Sequence, residues 1–110
     1  AAALGAINEP VERLKILNAG VPGEGPVVVA GAGTGLGTVY LIEDKGHYTA
    51  HPSEAGHASF APFNEETEAL RTWLNARFAV QPGAEQYISG QGIRNIYRCF
   101  RETGRIAGIR

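Results

Sequence analysis

An apolar, β-branched run that leads directly into alternating glycines is the feature that most restricts how this chain can fold. Val27 to Ala30 is typical of a strand buried on both faces of a sheet. Glycines alternate from Gly31 to Gly37, and Thr38 to Ile42 has the composition of another strand. Asp44-Lys45-Gly46 has turn chemistry that predicts a third strand from His47 to Ala50. The sequence therefore predicts a three-stranded antiparallel meander in which the glycines join strand to strand.

The glycine-rich loop has the composition of a ligand-binding loop. Glycine permits positive φ and a close approach of the backbone to an anion or a polyol. The dinucleotide fingerprint would need glycine where Leu36 stands, and a helix should follow it. A phosphate loop of the Walker type would need a lysine, and none lies nearby. A hairpin that only bends the sheet remains the structural alternative.

Helical patterns follow the meander. Asn64 is a suitable N-cap for a helix with an apolar stripe, and Gln81-Pro82-Gly83 breaks that helix. A short helix is expected to begin at Ala84, and a last helix runs from about Ile93 to Gly104. The apolar stripe of the first helix, expected in the core, consists of Leu70, Trp73, Leu74 and Phe78, and one face of the last helix carries Ile96, Tyr97 and Phe100. Three consecutive strands followed by helices predict a mixed α/β, α+β-like fold.

The start of the chain gives weaker patterns. Arg13 to Leu17 has the length and branching of a short strand, and Ala1 to Ile7 resembles the back of a helix whose start is missing. The chain opens without Met, so we interpret it as an internal fragment. A length of 110 residues fits one small domain or part of one.

Composition excludes several partners and settings. The net charge of −1 indicates neither a nucleic-acid nor a membrane partner, and no run reaches the roughly 18–20 apolar residues of a membrane span. The arginines near the end of the chain are interpreted as a solvated helix face. Cys99 is the only cysteine, which excludes an intrachain disulfide and favours a reducing, cytoplasmic setting. The start lacks the basic residues of a signal peptide.

Two acids and a histidine are the candidate binding residues. Glu54 and His57 lie in an irregular loop, separated by small residues that would let both side chains face one cleft. A carboxylate accepts hydrogen bonds from two neighbouring sugar hydroxyls, and an imidazole can serve a third. Glu85 stands early in the short helix, where the helix dipole alone favours an acid. A solvent-facing pair with no ligand and a glycoside hydrolase with Glu54 and Glu85 as paired carboxylates remain alternatives. No cysteine and histidine spacing fits a zinc site, so no metal is predicted.

Three motifs in order resemble the bacterial glucokinase family. They are GAGTGLG within Val28 to Leu41, PSEAGHASFAP at Pro52 to Pro62, and AEQYISGQGIRNIYR at Ala84 to Arg98. The motif-bearing region is residues 26–98, whereas residues 1–25 match only loosely. The resemblance implies the two-domain, actin-like ATPase fold related to ribonuclease H. Residues 1–110 would be a single partial domain, the first part of the larger domain.

The resemblance also implies roles for particular residues. Glu54 and His57 stand at the family's ExGH motif and would hydrogen-bond glucose, as would Glu85. Gly33, Thr34, Gly35 and Gly37 stand in the loop that would face the sugar and the phosphates. Ala55 replaces a common glycine, a change that alanine tolerates where φ is negative. The cysteine-rich zinc motif of the related repressor and sugar-kinase group is absent.

The same resemblance implies that the reaction needs residues beyond these. The family transfers a phosphoryl group from ATP, with magnesium, to the 6-hydroxyl of glucose. Its catalytic base, an Asp preceded by Asn, is expected just before Ala1, and its N-terminal phosphate loop has no counterpart here. We therefore expect a cytoplasmic homodimeric glucokinase of glycolysis as the parent protein and an inactive isolated fragment. A non-catalytic sugar-binding or regulatory module of the same fold is the alternative.

Overall fold

The computed structural model describes residues 10–106, so the helix expected over Ala1 to Ile7 lies outside the described residues. The contacts divide the chain into two compact units. Among the described residues, 10–30 and 38–53 form the sheet unit, and 31–37 and 54–106 form the helical unit. The glycine-rich loop therefore belongs to the helical unit, although the chain continues into a strand at each end of the loop.

A three-stranded meander, as predicted, makes up the sheet. Its strands are β1 (Val27–Ala32), β2 (Leu36–Asp44) and β3 (His47–Ser53), in the order β1-β2-β3. Strands β2 and β3 are antiparallel, with register from Thr38↔Ser53 to Asp44↔His47. The turn between them is Lys45-Gly46, with φ of 52° and 81°. Positive φ at both turn residues matches the twist of a two-residue hairpin.

The burial of β1 differs from the prediction. Val27 and Val29 are half-buried, whereas Val28 between them is 71% exposed. Strand β1 is an edge strand of the sheet. The prediction that both faces are buried was therefore wrong. The composition could not reveal this, because a run of valines looks the same whether one face of the strand or both are covered.

The strand predicted over Arg13 to Leu17 was also wrong. A 3-10 turn spans Val11–Arg13, closed by the Arg13 N–H that donates to the Pro10 carbonyl over 2.9 Å, and residues 14–17 join no strand. Ile16 and Leu17 are 65% and 87% exposed. Side-chain branching favours a strand only where a neighbouring strand pairs with it.

Helix α1 (Glu65–Asn75) begins where the sequence predicted. The Asn64 side chain accepts from the Thr67 N–H over 2.8 Å, and the Thr67 hydroxyl accepts from the Asn64 N–H over 3.1 Å. This reciprocal capping box satisfies two backbone donors that the first turn of a helix leaves open. Phe78, predicted in the apolar stripe, is 39% exposed because α1 ends at Asn75.

Helix α2 (Gly90–Glu102) begins three residues before the predicted Ile93. Ser89 caps it by accepting from the Gly92 N–H over 3.0 Å, a signal that outweighs the two glycines. The predicted end at Gly104 is confirmed, since Gly104 has φ of 71° and the Arg105 N–H donates back to the Phe100 carbonyl. Tyr97, predicted on one face with Ile96 and Phe100, is 39% exposed.

Both helices contribute to the core of the helical unit. Its buried members are Leu70, Leu74, Tyr87 and Cys99, with Phe60, Trp73, Ile96 and Phe100 packed against them. The Phe60 and Tyr87 rings stack with centroids 4.0 Å apart. Burial raises the pKa of the Tyr87 hydroxyl and of the Cys99 thiol. Neither α1 nor α2 is long and apolar enough to cross a membrane.

Candidate functional site

The glycine-rich loop is hydrogen-bonded at two points, once to Gly90 at the start of α2 and once to the Glu85 side chain before it. Within the loop, the Gly33 N–H donates to the Gly35 carbonyl over 2.8 Å. The Gly33 carbonyl accepts from the Gly90 N–H over 2.7 Å. The Leu36 N–H donates to Glu85 Oε2 over 2.9 Å. The loop is therefore held on both sides of Thr34-Gly35 by residues far along the chain.

Close approach is the reason for glycine at position 35. A Cβ built there would lie 2.8 Å from Glu85 Oε2, a separation that no side chain tolerates without displacing the carboxylate. None of the four loop glycines has positive φ, so the left-handed backbone expected from the sequence is not used. Glycine at position 35 therefore leaves the space that the Glu85 carboxylate occupies.

Glu54 and His57 flank a short 3-10 turn, Ala55–His57. Their Oε2 and Nε2 atoms are 3.3 Å apart, and the side chains are 87% and 69% exposed. A contact this exposed contributes little stability, so both groups can exchange partners at low cost. Ala55 has no positive φ, which meets the condition for alanine at that position.

Gly56 connects this turn to the glycine-rich loop. It is buried, and a Cβ at this position would lie 2.4 Å from the Leu36 carbonyl oxygen. The turn therefore packs directly on the backbone of the residue whose N–H reaches Glu85. The glycine between the acid and the histidine is a packing requirement of the site.

Glu85 belongs to a second 3-10 turn, Ala84–Gln86, packed against the first. The Ala84 N–H donates to the Ala58 carbonyl over 2.7 Å, and Ser59 and Gly83 form an isolated antiparallel bridge. His57 and Glu85 consequently line one cavity of about 260 Å³. The other lining residues are Phe78, Val80, Gln81, Pro82, Gly83 and Gln86. All the predicted site residues belong to the helical unit, but only His57 and Glu85 line this cavity, and Glu54 reaches it through its contact with His57.

Sequence reasoning missed two buried polar residues that support the second turn. The Ser89 hydroxyl donates to the Glu85 carbonyl over 2.6 Å while it caps α2. The Asn95 amide donates to the Gln86 carbonyl over 2.9 Å. Both residues are 5% exposed. An asparagine on the apolar face of a helix was the available signal, because a buried amide needs a partner.

A larger cavity, of about 440 Å³, lies beside Trp73 and contains no predicted site residue. The Trp73 indole N–H donates to Glu102 Oε2 over 2.9 Å, and Arg77 pairs with the same carboxylate. The Arg77 guanidinium lies 3.7 Å from the centroid of the indole ring. Each group already has a partner within the helical unit, so these contacts join α1 to α2.

The polar groups of the site suit a polyol better than a nucleotide. The His57 imidazole and the Glu85 carboxylate line the cavity, and a Cβ at Gly33 would meet no atom within 4 Å, which leaves an open loop surface. The loop carries no lysine or arginine to balance phosphate charge. Within residues 10–106, no three His, Cys, Asp or Glu side chains are grouped to hold a metal ion.

Sequence comparison gives one family. The family model described as Glucokinase matches residues 1–109. A glucokinase of Nostoc sp. is 44% identical over 80 residues, covering 72% of this chain and 23% of the relative. A glucokinase of Salmonella arizonae is 39% identical over 90 residues, covering 81% and 28%. The chain thus spans about a quarter of the length of these curated relatives.

Solved structures of glucokinases are similar to the chain. The structure from an Antarctic psychrotroph has a TM-score of 0.69 at 27% identity, covering 84% of this chain and 29% of that one. The glucose complex from Balamuthia mandrillaris has a TM-score of 0.65 at 22% identity, covering 74% and 24%. The second likeness concerns the fold alone. The mixed α/β architecture is that of the actin-like ATPase fold, as predicted.

Proposed function

Because the chain belongs to the glucokinase family, we propose that its parent protein transfers a phosphoryl group from ATP to the 6-hydroxyl of glucose. Residues 1–110 form the first part of the larger domain in this proposal. The observation that carries it is the shared cavity of His57 and Glu85, with Glu54 3.3 Å from His57. A carboxylate and an imidazole that line a small cavity, with a second carboxylate beside the imidazole, match the hydroxyl pattern of a hexose.

Each of the three groups has a defined task. Glu54, as the most exposed of them, accepts hydrogen bonds from two neighbouring hydroxyls. His57 gives up its weak pairing with Glu54 and hydrogen-bonds a third hydroxyl. Glu85 has one oxygen on Leu36 and the other available for the sugar. Together they orient glucose, and none of them is the base.

The other parts of the reaction lie outside these three groups. When bound, ATP supplies the phosphoryl group, and magnesium balances the phosphate charge. The only aspartate of the chain, Asp44, ends strand β2 in the sheet unit, so we assign the base to a residue outside this chain. Gly33, Thr34, Gly35 and Gly37 provide the loop surface toward the sugar and the phosphates. Family membership supports a cytoplasmic, homodimeric enzyme of glycolysis.

The Glu54→Gln substitution in the full-length protein tests the sugar assignment. Replacing the carboxylate by a neutral amide weakens its hydrogen bonds and should cost roughly 2 to 4 kcal/mol of glucose affinity. A loss of this size is a rise of about 30-fold to several hundred-fold in the Michaelis constant for glucose. Glu66→Gln, at an exposed position in α1, is the matched control. An unchanged Michaelis constant in the Glu54 variant would remove that residue from the site.

A coupled assay of ATP consumption with glucose tests the reaction class. Glucose-dependent ATP consumption by the full-length protein is the expected result. Glucose binding in a calorimeter without ATP consumption would favour a non-catalytic sugar-binding protein.

A further inference from the structure

The Glu85 side chain is hydrogen-bonded to the glycine-rich loop. Its Oε2 accepts from the Leu36 N–H over 2.9 Å, although 49 positions separate the two residues. A hydrogen bond to an ionised acceptor is shorter and stronger than one between neutral groups. The bond therefore fixes the peptide between Gly35 and Leu36, at the start of β2.

The backbone around Glu85 is itself held rigidly. The buried Ser89 hydroxyl donates to the Glu85 carbonyl over 2.6 Å and accepts from the Gly92 N–H over 3.0 Å. The adjacent Gly90 N–H donates to the Gly33 carbonyl over 2.7 Å. Residues 85–92 thus hold the loop at two points, and only the Glu85 bond uses a side chain.

Gly35 shows that loop and carboxylate fit closely. A Cβ at this position would lie 2.8 Å from Oε2 and 3.7 Å from Oε1 of Glu85. The side chain therefore fills the space that a larger residue would take, with Oε2 toward the loop. The other oxygen keeps lone pairs for a hydroxyl donor in the cavity that Glu85 lines with His57.

We propose that Glu85 is a positioning residue that sets the conformation of the glycine-rich loop in addition to holding the sugar. One carboxylate then links the sugar site to the loop surface that faces the phosphates. This inference rests on the proposed function for the identity of the two ligands. It assigns Glu54 and Glu85 different effects, because only Glu85 contacts the loop.

Two substitutions at position 85 separate the roles. In the full-length protein, Glu85→Ala removes both the sugar contact and the loop contact, so the Michaelis constants for glucose and for ATP should each rise by about tenfold or more. Glu85→Gln keeps an oxygen that can accept from the Leu36 N–H, so the Michaelis constant for ATP should stay within about threefold of the unsubstituted value. The Michaelis constant for glucose should still rise. Glu54→Gln should raise the constant for glucose alone.

Hydrogen exchange at the Leu36 amide reports the loop contact independently of activity. Glu85→Ala should accelerate this exchange by about tenfold or more, Glu85→Gln, which keeps a weaker neutral acceptor, should accelerate it less, and Glu54→Gln should leave it nearly unchanged. Gly35→Ala, which displaces the carboxylate, should accelerate it although Glu85 is present. Gly23→Ala is the control, because a Cβ there meets no atom within 4 Å.

The outcomes distinguish this inference from the proposed function. Unchanged Leu36 exchange or an unchanged Michaelis constant for ATP in Glu85→Ala would overturn the positioning role, whatever happens to glucose. Absence of ATP consumption by the unsubstituted protein would instead end the proposed function. In that case Leu36 exchange alone decides whether Glu85 holds the loop.

Discussion

The sheet unit and the helical unit are stabilised in different ways. Leu41 is the one buried apolar side chain among the described residues of the sheet unit, where Val28, Ile42 and Tyr48 are exposed. The sheet unit is ordered mainly by the hydrogen bonds between its strands and by the Lys45-Gly46 turn. The helical unit has a four-residue buried cluster and buried polar groups with partners. The candidate site thus belongs to the unit that has its own packed core.

Removing a core side chain from the helical unit should have the largest effect on stability. Leu74 is completely buried, so Leu74→Ala should lower the free energy of unfolding by about 2–5 kcal/mol through lost packing and a cavity. Val28→Ala, at a residue 71% exposed in the sheet unit, should cost less than about 1 kcal/mol. Urea unfolding followed by circular dichroism measures both values. Equal losses would contradict the contrast between the units.

A methyl group at Gly56 should have the next largest effect. The Cβ would lie 2.4 Å from the Leu36 carbonyl oxygen, so Gly56→Ala should cost about 1–3 kcal/mol as the backbone moves apart. Gly20 of the sheet unit has no atom within 4 Å of its Cβ position, and Gly20→Ala should cost nothing. The same unfolding experiment applies, and a neutral Gly56→Ala would show that the turn need not pack on the loop.

Acid should produce the smallest effect, confined to the helical unit. The hydrogen bond from Trp73, together with Arg77, lowers the pKa of the Glu102 carboxyl below its ordinary value of 4.5. This depressed pKa contributes stability at pH above that ordinary value, and the contribution is lost as the pH falls through the folded-state pKa. Fluorescence of Trp73, the only tryptophan, should therefore change at a pH below 4.5.

The Glu102→Gln variant is the control for the acid experiment. Its amide oxygen can accept from the Trp73 indole but cannot titrate, so the low-pH fluorescence change should disappear. A step of unchanged size in this variant would assign the titration to another carboxyl group.

Local chemistry explains which parts of the fold the sequence predicted. The Asp44-Lys45-Gly46 turn and the Asn64 cap depend on residues within a few positions of each other, and both were placed correctly. The start of α2 was misplaced because Gly90 and Gly92 suggested a break, whereas the Ser89 cap decides the boundary. Gly92 packs within contact of Tyr87, and no local pattern shows that contact.

The site was predicted as a set of residues rather than as an arrangement. Motif matching named Glu54, His57 and Glu85, and the structure groups them in the helical unit. Their assigned roles remain predictions until the variants are measured. The bond from Leu36 to Glu85 could not be predicted, because it joins residues 49 positions apart and depends on the packing of two turns.

That separation also has a consequence for how the protein is made. Ribosomes add about 5–20 residues per second, so the glycine-rich loop is synthesised roughly 2–10 seconds before Glu85, which lies 49 positions later. Throughout that interval the Leu36 N–H lacks its native acceptor, whereas both strands of the Lys45-Gly46 hairpin are complete once Ser53 has been added. The loop therefore takes its final shape only after the nascent chain has extended past the second turn.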